Sequence, residues 1–482
     1  MKLKYTIPTI VLTLIIIQHI SCKKFVQVVS PDTNVSAVNV YNSDATAAAV
    51  LTGIYTNMSS SGFAYGGITS MSLYPGLSAD ELSVFANSNI TYSYYYTNNL
   101  TSLNTGGSDF WSNIYPILYV INSAIAGLTN NSTLTPAVDQ QLMGEATFMR
   151  AFCYFYLVNL YGDVPLVTGT NYNVNESLGR TPAAQVWQQI ISDLKTAQGL
   201  LSTNYLQSDV LTAYPIGSTQ KVRPTKWAAD ALLARAYLYT KDWADAKVQA
   251  DSVIGNTSLF GLDTLNGVFL ANSTEAIWQL QPVNAGQNTQ DAILFVIPSS
   301  GPGSSYPVYL NPILIDAFEP GDQRRVDWID SVSVPPATYY YAFKYKVYAY
   351  NNSTNPPTEY EMVLRLGEQY LIRAEAEANQ NDLIDADSDI NVIRTRAGLA
   401  GVTANTQASV LAAIQHERQV ELFTEWGHRW LDLKRTDSLD NIMSEVYPQK
   451  VINGTWNTDW QWYPIPLYDL QHNINLIQNI GY

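Results

Sequence analysis

The chain has 482 residues, of which 46% are hydrophobic, 12% aromatic and only 14% charged, with a formal net charge of −15. That apolar and aromatic content excludes a disordered chain and can fill a large core. The acidic balance argues against nucleic acid or an anionic membrane surface as partner, and suits a neutral or cationic ligand or simple solubility.

At the N-terminus, Lys2 and Lys4 precede an apolar run from Ile10 to Ile17, the arrangement of a signal peptide. The run is broken by Gln18 and His19 and falls short of the ~20 apolar residues of a membrane-spanning helix. His19-Ile20-Ser21-Cys22 then places a small residue before a cysteine, as in a bacterial lipoprotein box, although Leu is usual at the place of His19. Residues 1–21 are expected to be cleaved as a lipoprotein signal peptide and Cys22 to be acylated, tethering the protein to a membrane without crossing it. The polar, β-branched stretch that follows makes residues 22–39 a lipid-anchored leash, and residues 40–482 a single body. Cys153 lies in the apolar run Ala151 to Leu157 and reads as a buried, inert thiol.

Apolar residues recur at helical spacing over Ala45 to Tyr55 and over Phe110 to Ile125, where Trp111, Tyr115, Leu118, Ile121 and Ile125 share a stripe. Glu145 to Tyr161 is apolar almost all round, which marks a central helix, and Gly162-Asp163-Val164-Pro165 ends it. Trp227 to Ile254 and Tyr370 to Ile393 each read as helix, turn, helix, with turns at Lys241-Asp242 and Asn381-Asp382. Leu232-Leu233 matches Leu371-Ile372 and Val253-Ile254 matches Val392-Ile393, both at a spacing of 139 residues. With small Ala residues lining both units, these are tetratricopeptide-like hairpins, which bury their apolar faces only by stacking.

Two stretches break the helical pattern. Residues from about 59 to 107 are rich in Ser, Asn, Gly, Thr and Tyr; those from about 260 to 358 are rich in Gly, Pro and Tyr, with β-like runs at Ala276 to Leu280 and Phe343 to Val347. Long irregular segments carry function when they are ordered. The expected fold class is therefore mainly α: a tetratricopeptide-like helical-hairpin scaffold with two large irregular insertions containing short strands, both facing one side.

Several motifs stand in a fixed order: Gly144-Glu145-Ala146-Thr147-Phe148-Met149-Arg150-Ala151-Phe152, then Tyr161-Gly162-Asp163-Val164-Pro165, Leu371-Ile372-Arg373-Ala374-Glu375-Ala376, and Ile390 through Gly398. Glu417-Arg418-Gln419-Val420-Glu421-Leu422, Gly427-His428-Arg429-Trp430 and the closing Gln478-Asn479-Ile480-Gly481-Tyr482 complete the set. The chain thereby resembles the SusD/RagB family of outer-membrane nutrient-binding lipoproteins across essentially its whole mature length. Trp426 departs from the pattern, standing where Gly commonly precedes the Gly-x-Arg-Trp segment. The resemblance implies a cell-surface lipoprotein on the exterior of the outer membrane that captures an oligosaccharide, or in some members a peptide, and delivers it to a SusC-like TonB-dependent transporter. It implies no chemistry on the ligand, and no cofactor.

Glu417, Glu421 and Glu425 follow one another at i, i+4 and i+8, and a glycoside hydrolase would use such carboxylates as acid and base. The competing expectation is that they pair with Arg394, Arg396, Arg429 or Arg435 and lock the final helices together. Asp80-Glu81, Asp316 and Asp322 are acids with an affinity for calcium in principle, but no loop of alternating oxygen ligands surrounds them, and solvated loop acids or Arg partners are expected. Aromatic residues carry the stronger signal, because the apolar C–H faces of sugar rings stack on aromatic rings while amides meet their hydroxyls. The candidate ligand-binding residues are Tyr92, Tyr94, Tyr96 and Asn98 in the first insertion, and Tyr306 and Tyr309 in the second, where Tyr339, Tyr340 and Tyr341 also lie. The competing reading of Tyr92-Ser93-Tyr94-Tyr95-Tyr96 is an alternating β-hairpin that packs one face.

Overall fold

The computed structural model describes residues 40–60, 71–85, 90–104, 110–215, 217–348 and 355–482. The signal peptide, Cys22 and the leash lie outside them. Eleven described helices have eight residues or more: α1 Asp44–Ser60, α2 Phe110–Leu128, α3 Pro136–Tyr161, α4 Ala183–Leu200, α5 Lys226–Tyr239, α6 Trp243–Ile254, α7 Leu366–Asn379, α8 Leu383–Arg396, α9 Gln407–Glu421, α10 His428–Arg435 and α11 Leu439–Lys450. From α2 to α9 each helix packs on the next, and α1 lies against α2 and α3. Among the described residues no helix is long and apolar enough to cross a membrane.

The central helices owe their position to composition. α3 starts with Pro136 at its first turn, is buried almost throughout, and stops where Gly162 takes φ 73° and returns its N–H to the Val158 carbonyl. Gly144 lets α4 approach, since a Cβ there would stand 2.9 Å from Leu201 Cγ. Glu145, beside it, accepts hydrogen bonds from Tyr55 and Arg223, both at 2.8 Å, and from Gln141 at 3.1 Å. The first motif is thus a packing and ion-pair unit. α5 is lined by Ala228, Ala229, Ala231, Ala234 and Ala236, all buried between neighbouring helices, and its buried Arg235 forms a two-pronged ion pair with Glu368 on α7.

The two predicted hairpins are α5–α6 and α7–α8. Their turns are superimposable in kind: Lys241 and Asn381 take φ 61° and 64°, and the N–H groups of Asp242 and Asp382 return to the carbonyls of Tyr237 and Glu377, both at 2.9 Å. The helix starts, 226 and 366, stand 140 residues apart, not the 139 read from the apolar pairs. At this spacing, which the turns at Lys241 and Asn381 share, Leu232 matches Ile372 and Val253 matches Ile393, all four buried. A third copy of the turn joins α10 to α11, with Asp437 at φ 57° and Ser438 N–H bonded to Leu433 O at 2.9 Å.

The irregular material lies between α1 and α2 and between α6 and α7, as expected. It is more ordered than its composition suggests, with short helices at Tyr74–Ser78, Ile90–Tyr96, Gln290–Phe295, Pro312–Ala317 and Gln323–Asp327. Among the described residues three antiparallel two-stranded sheets organise it: β1 Leu82–Val84 with β3 Val308–Leu310, β2 Ala276–Leu280 with β6 Glu361–Arg365, and the hairpin β4 Ile329–Val334 with β5 Ala337–Ala342. The β2 strand matches its expectation, but Phe343 to Val347 is not a strand. Lys344 turns inward there and its ammonium bonds the carbonyls of Glu421 and Phe423, both at 2.8 Å, an irregular path that no ladder would allow.

Candidate functional site

The two insertions meet through β1 and β3. Ser83 stands opposite Tyr309, Leu82 opposite Leu310 and Val84 opposite Val308. The continuation of β1 places Phe85, whose N–H bonds Pro307 O at 2.8 Å. The Phe85 ring meets Tyr339 of β5 edge-on at 5.9 Å, and Tyr339 meets Tyr309 edge-on at 5.1 Å. Tyr96, at the end of its short helix, lies near Tyr309, and the Ser83 hydroxyl lies beside both phenols. Four half-buried aromatic residues from four chain segments therefore lie close together.

Alternation along β5 sorts the three consecutive tyrosines. Tyr339 and Tyr341 belong to a small cluster with Val296, Ile297, Tyr306 and Phe343, whereas Tyr340 faces the main core and carries the Arg325 guanidinium at 4.6 Å. Tyr341 is tied down by its hydroxyl, which donates to Asp330 at 3.0 Å. Tyr306 stands at the edge of this cluster, half-buried, after a turn through Gly301 at φ 88°.

The structure separates the six sequence candidates. Tyr96, Tyr306 and Tyr309 fall at or beside the ring group. Tyr94 is half-buried on a different side of the same helix as Tyr96. Tyr92 and Asn98 are 5% and 2% exposed and serve the fold: Tyr92 packs on Tyr74, and Asn98 donates its amide to Ser78 O at 3.2 Å. The run Tyr92 to Tyr96 is a helix and not a β-hairpin, because Tyr92 and Tyr95 at i and i+3 both reach the buried Tyr74, a packing gain that overrides strand propensity. Sequence reading missed Phe85 and Ser83; only the long-range ladder reveals them.

The acidic candidates are absorbed into ion pairs. Glu425 lies beyond the end of α9, so the three glutamates do not share a helix face. Glu417 pairs with Arg324 at 2.5 Å and Arg394 at 3.3 Å; Glu421 with Arg324 at 2.9 Å, Arg365 at 2.7 Å and also Arg396; Glu425 with Arg365 at 2.7 Å and Lys344 at 2.5 Å. Arg394 and Arg396 take the expected role, whereas Arg429 pairs with Asp80 at 2.7 Å and Arg435 with Glu375 and Asp432. Burial opposes ionisation of Glu421, but the guanidiniums of Arg396, Arg365 and Arg324 outweigh it and hold the carboxyl well below the usual range. A carboxylate held ionised by three buried guanidiniums is a poor proton donor.

Three of the four calcium candidates are similarly engaged, and the fourth, Asp316, is exposed. Asp80 faces Arg429, Glu81 accepts from Thr424 N–H at 3.2 Å, and Asp322 caps the helix Gln323–Asp327 and pairs with Arg324 at 2.8 Å. Among the described residues no three His, Cys, Asp or Glu side chains are gathered to hold a metal ion. Cys153 is buried, and burial pushes its thiol far up.

Comparison with known proteins places these features in a group. Residues 329–482 match the model of the SusD family, and residues 28–238 match a model described as starch-binding, associating with the outer membrane. SusD-like protein P2 of Formosa agariphila is 26% identical over 436 residues, covering 79% of this chain and 82% of that protein. Starch-binding protein SusD of Bacteroides thetaiotaomicron is 33% identical over 141 residues, which are 27% of this chain and 23% of that one. Among solved structures, surface glycan-binding protein A of Bacteroides uniformis superposes with a TM-score of 0.75 at 20% identity, covering 90% of this chain and 99% of its own. A laminarin-binding SusD-like protein gives 0.72 at 22% identity, with 90% and 99% covered.

Proposed function

We infer a capture-and-delivery role for this chain, which belongs to the SusD family. It binds an oligosaccharide at the cell surface and passes it, chemically unaltered, to a SusC-like TonB-dependent channel in the outer membrane. The observation that carries this reading is the ring group of Phe85, Tyr96, Tyr309 and Tyr339, assembled where the two insertions pair. Half-buried rings offer apolar faces to sugar C–H groups, and their fixed packing lowers the ordering cost of binding. Relatives described as starch-binding, laminarin-binding and surface glycan-binding support a glycan over a peptide. The reading needs no cofactor and assigns no calcium, since no bond of the ligand is made or broken. Acylated Cys22 and the leash at 22–39 hold the body at the membrane and leave it free to move over its channel.

The direct test is calorimetric titration of the mature chain with oligosaccharides from laminarin, starch and host glycans, with a reducing-end assay on the same mixtures. Saturable binding without new reducing ends is expected. New reducing ends would identify a glycoside hydrolase, and a panel that yields peptide binding alone would replace the ligand class.

A further inference from the structure

We propose that this protein has a second saccharide site, on the flank of α1, which takes a single neutral sugar ring. A cavity of about 210 Å³ opens there between the C-terminal half of α1, the turn that the Leu206–Ala213 bridge closes, and the end of β2. The volume lies below the ~300 Å³ at which pockets for larger ligands begin, so the cavity suits one ring and not a chain segment.

Its chemistry is that of a sugar pocket in miniature. Leu206, Val222 and Leu280 supply an apolar floor, and Tyr55 and Tyr214 supply aromatic walls. Thr56, Ser208 and Gln281 stand at the rim. Among the described residues the side chains of these three make no hydrogen bond within the protein, which leaves their hydroxyl and amide groups available to a ligand at the rim.

The single charged side chain in the lining is Arg223, and its charge is met inside the protein. One Nη donates to Glu145 at 2.8 Å and the other to Thr52 Oγ1 at 2.6 Å, while Tyr55 donates its hydroxyl to the same Glu145 oxygen at 2.8 Å. The carboxylate thus fixes both an aromatic wall and the guanidinium, and the cavity presents polar groups without net charge. That balance favours a neutral ring over a uronate or an amino sugar. The site shares no residue with the Phe85, Tyr96, Tyr309 and Tyr339 group, so its failure and the failure of that group are separately visible.

The test uses the mature chain with ¹³C-methyl labels on Leu, Val and Thr, titrated with methyl β-glucopyranoside, methyl α-mannopyranoside and methyl β-xylopyranoside, and with methyl β-glucuronide for comparison. At least one neutral glycoside is expected to give saturable shifts at Leu206, Val222 and Leu280 with a Kd on the order of 1 mM. Thr56→Trp, a change at an exposed helix position that fills the cavity, should weaken this binding at least about tenfold. Tyr309→Ala should leave it unchanged. The proposal is overturned if no neutral glycoside gives saturable shifts, if Thr56→Trp leaves them intact, or if the glucuronide binds most tightly.

Discussion

Ser83 and Tyr309 face each other across the only ladder among the described residues that joins the first insertion to the second. Asn311 strengthens the junction by donating its amide to the Ser83 hydroxyl at 3.1 Å and its backbone N–H to Glu81 O at 2.8 Å. Tyr309 consequently has a fixed backbone and a half-buried ring propped edge-on by Tyr339.

The first prediction separates ligand contact from packing. Tyr309→Ala should weaken oligosaccharide binding about tenfold, close to 1.4 kcal/mol, with little change in melting temperature. Tyr92→Ala should do the reverse. Its ring is buried against Tyr74, and removal of a buried aromatic side chain costs ~3–5 kcal/mol of stability. Calorimetry and urea denaturation on the two variants check this; similar binding losses in both would dissolve the distinction.

Anchoring and binding should also come apart. Cys22→Ser is expected to leave the affinity of the soluble mature chain unchanged and to abolish glycan uptake by cells that depend on this protein. Radiolabelled oligosaccharide uptake, set beside calorimetry, measures both. Uptake at wild-type rates in the variant would remove the lipid from the mechanism.

Glu421 is the keystone of the buried ion-pair lattice, since Arg324, Arg365 and Arg396 all converge on it. Glu421→Gln leaves three buried guanidiniums short of one negative charge. The expected loss is ~3–5 kcal/mol, the cost of breaking a buried ion pair from one side. Urea unfolding should show a lower midpoint at unchanged slope, and a midpoint within error of the wild type would show that water or rearranged partners neutralise the cluster.

Helices and repeats were legible in the sequence because they are written in local spacing. The α5–α6 and α7–α8 hairpins, the end of α3 at Gly162 and the framework motifs all follow from residues within a few turns of one another. The candidate site was only half legible. Composition marked Tyr96, Tyr306 and Tyr309, but the β1–β3 pairing joins segments separated by helices α2 to α6, and no local pattern encodes such a partner. Arg324 and Arg365 were missed as partners of the glutamates for the same reason, and the helical turn of Tyr92 to Tyr96 because burial against Tyr74 overrides local preference.

Trp426 occupies a position with φ 46°, in the region that favours glycine. Its ring repays that strain: it is 2% exposed, meets Phe152 and Tyr156 at 5.5 and 5.8 Å, and donates Nε1–H to Met362 O at 2.6 Å. Trp426→Gly relieves roughly 1 kcal/mol of backbone strain and opens a cavity that costs ~3–5 kcal/mol. Net destabilisation of about 2–4 kcal/mol is expected in urea titration; a more stable glycine variant would show that backbone strain dominates.

The last prediction concerns pH. Glu81 is buried at the entry to β1, and burial together with the neighbouring Asp80 pushes its carboxyl up to about 8, against weaker opposing effects of Thr424 N–H, Arg429 and Lys344. An unfolded Glu titrates near ~4.3, so between these values the folded protein holds a proton that the unfolded chain releases. The stability this proton confers is complete below about pH 4 and is lost as pH rises through about 8. Asp80 and Glu425 act in the opposite sense: burial opposes their ionisation, but Arg429 and Arg365 respectively lead the charges that hold them low, and their contribution is lost only in acid. Asp291, pushed up to about 7 mainly by burial, adds to the alkaline decline, so a wild-type profile alone does not isolate Glu81. Glu81→Gln keeps an oxygen to accept from Thr424 N–H and removes the titration. The stability of the wild type relative to this variant should fall by a few kcal/mol between pH 5 and pH 9, and a difference that stays flat across that range would place the proton elsewhere.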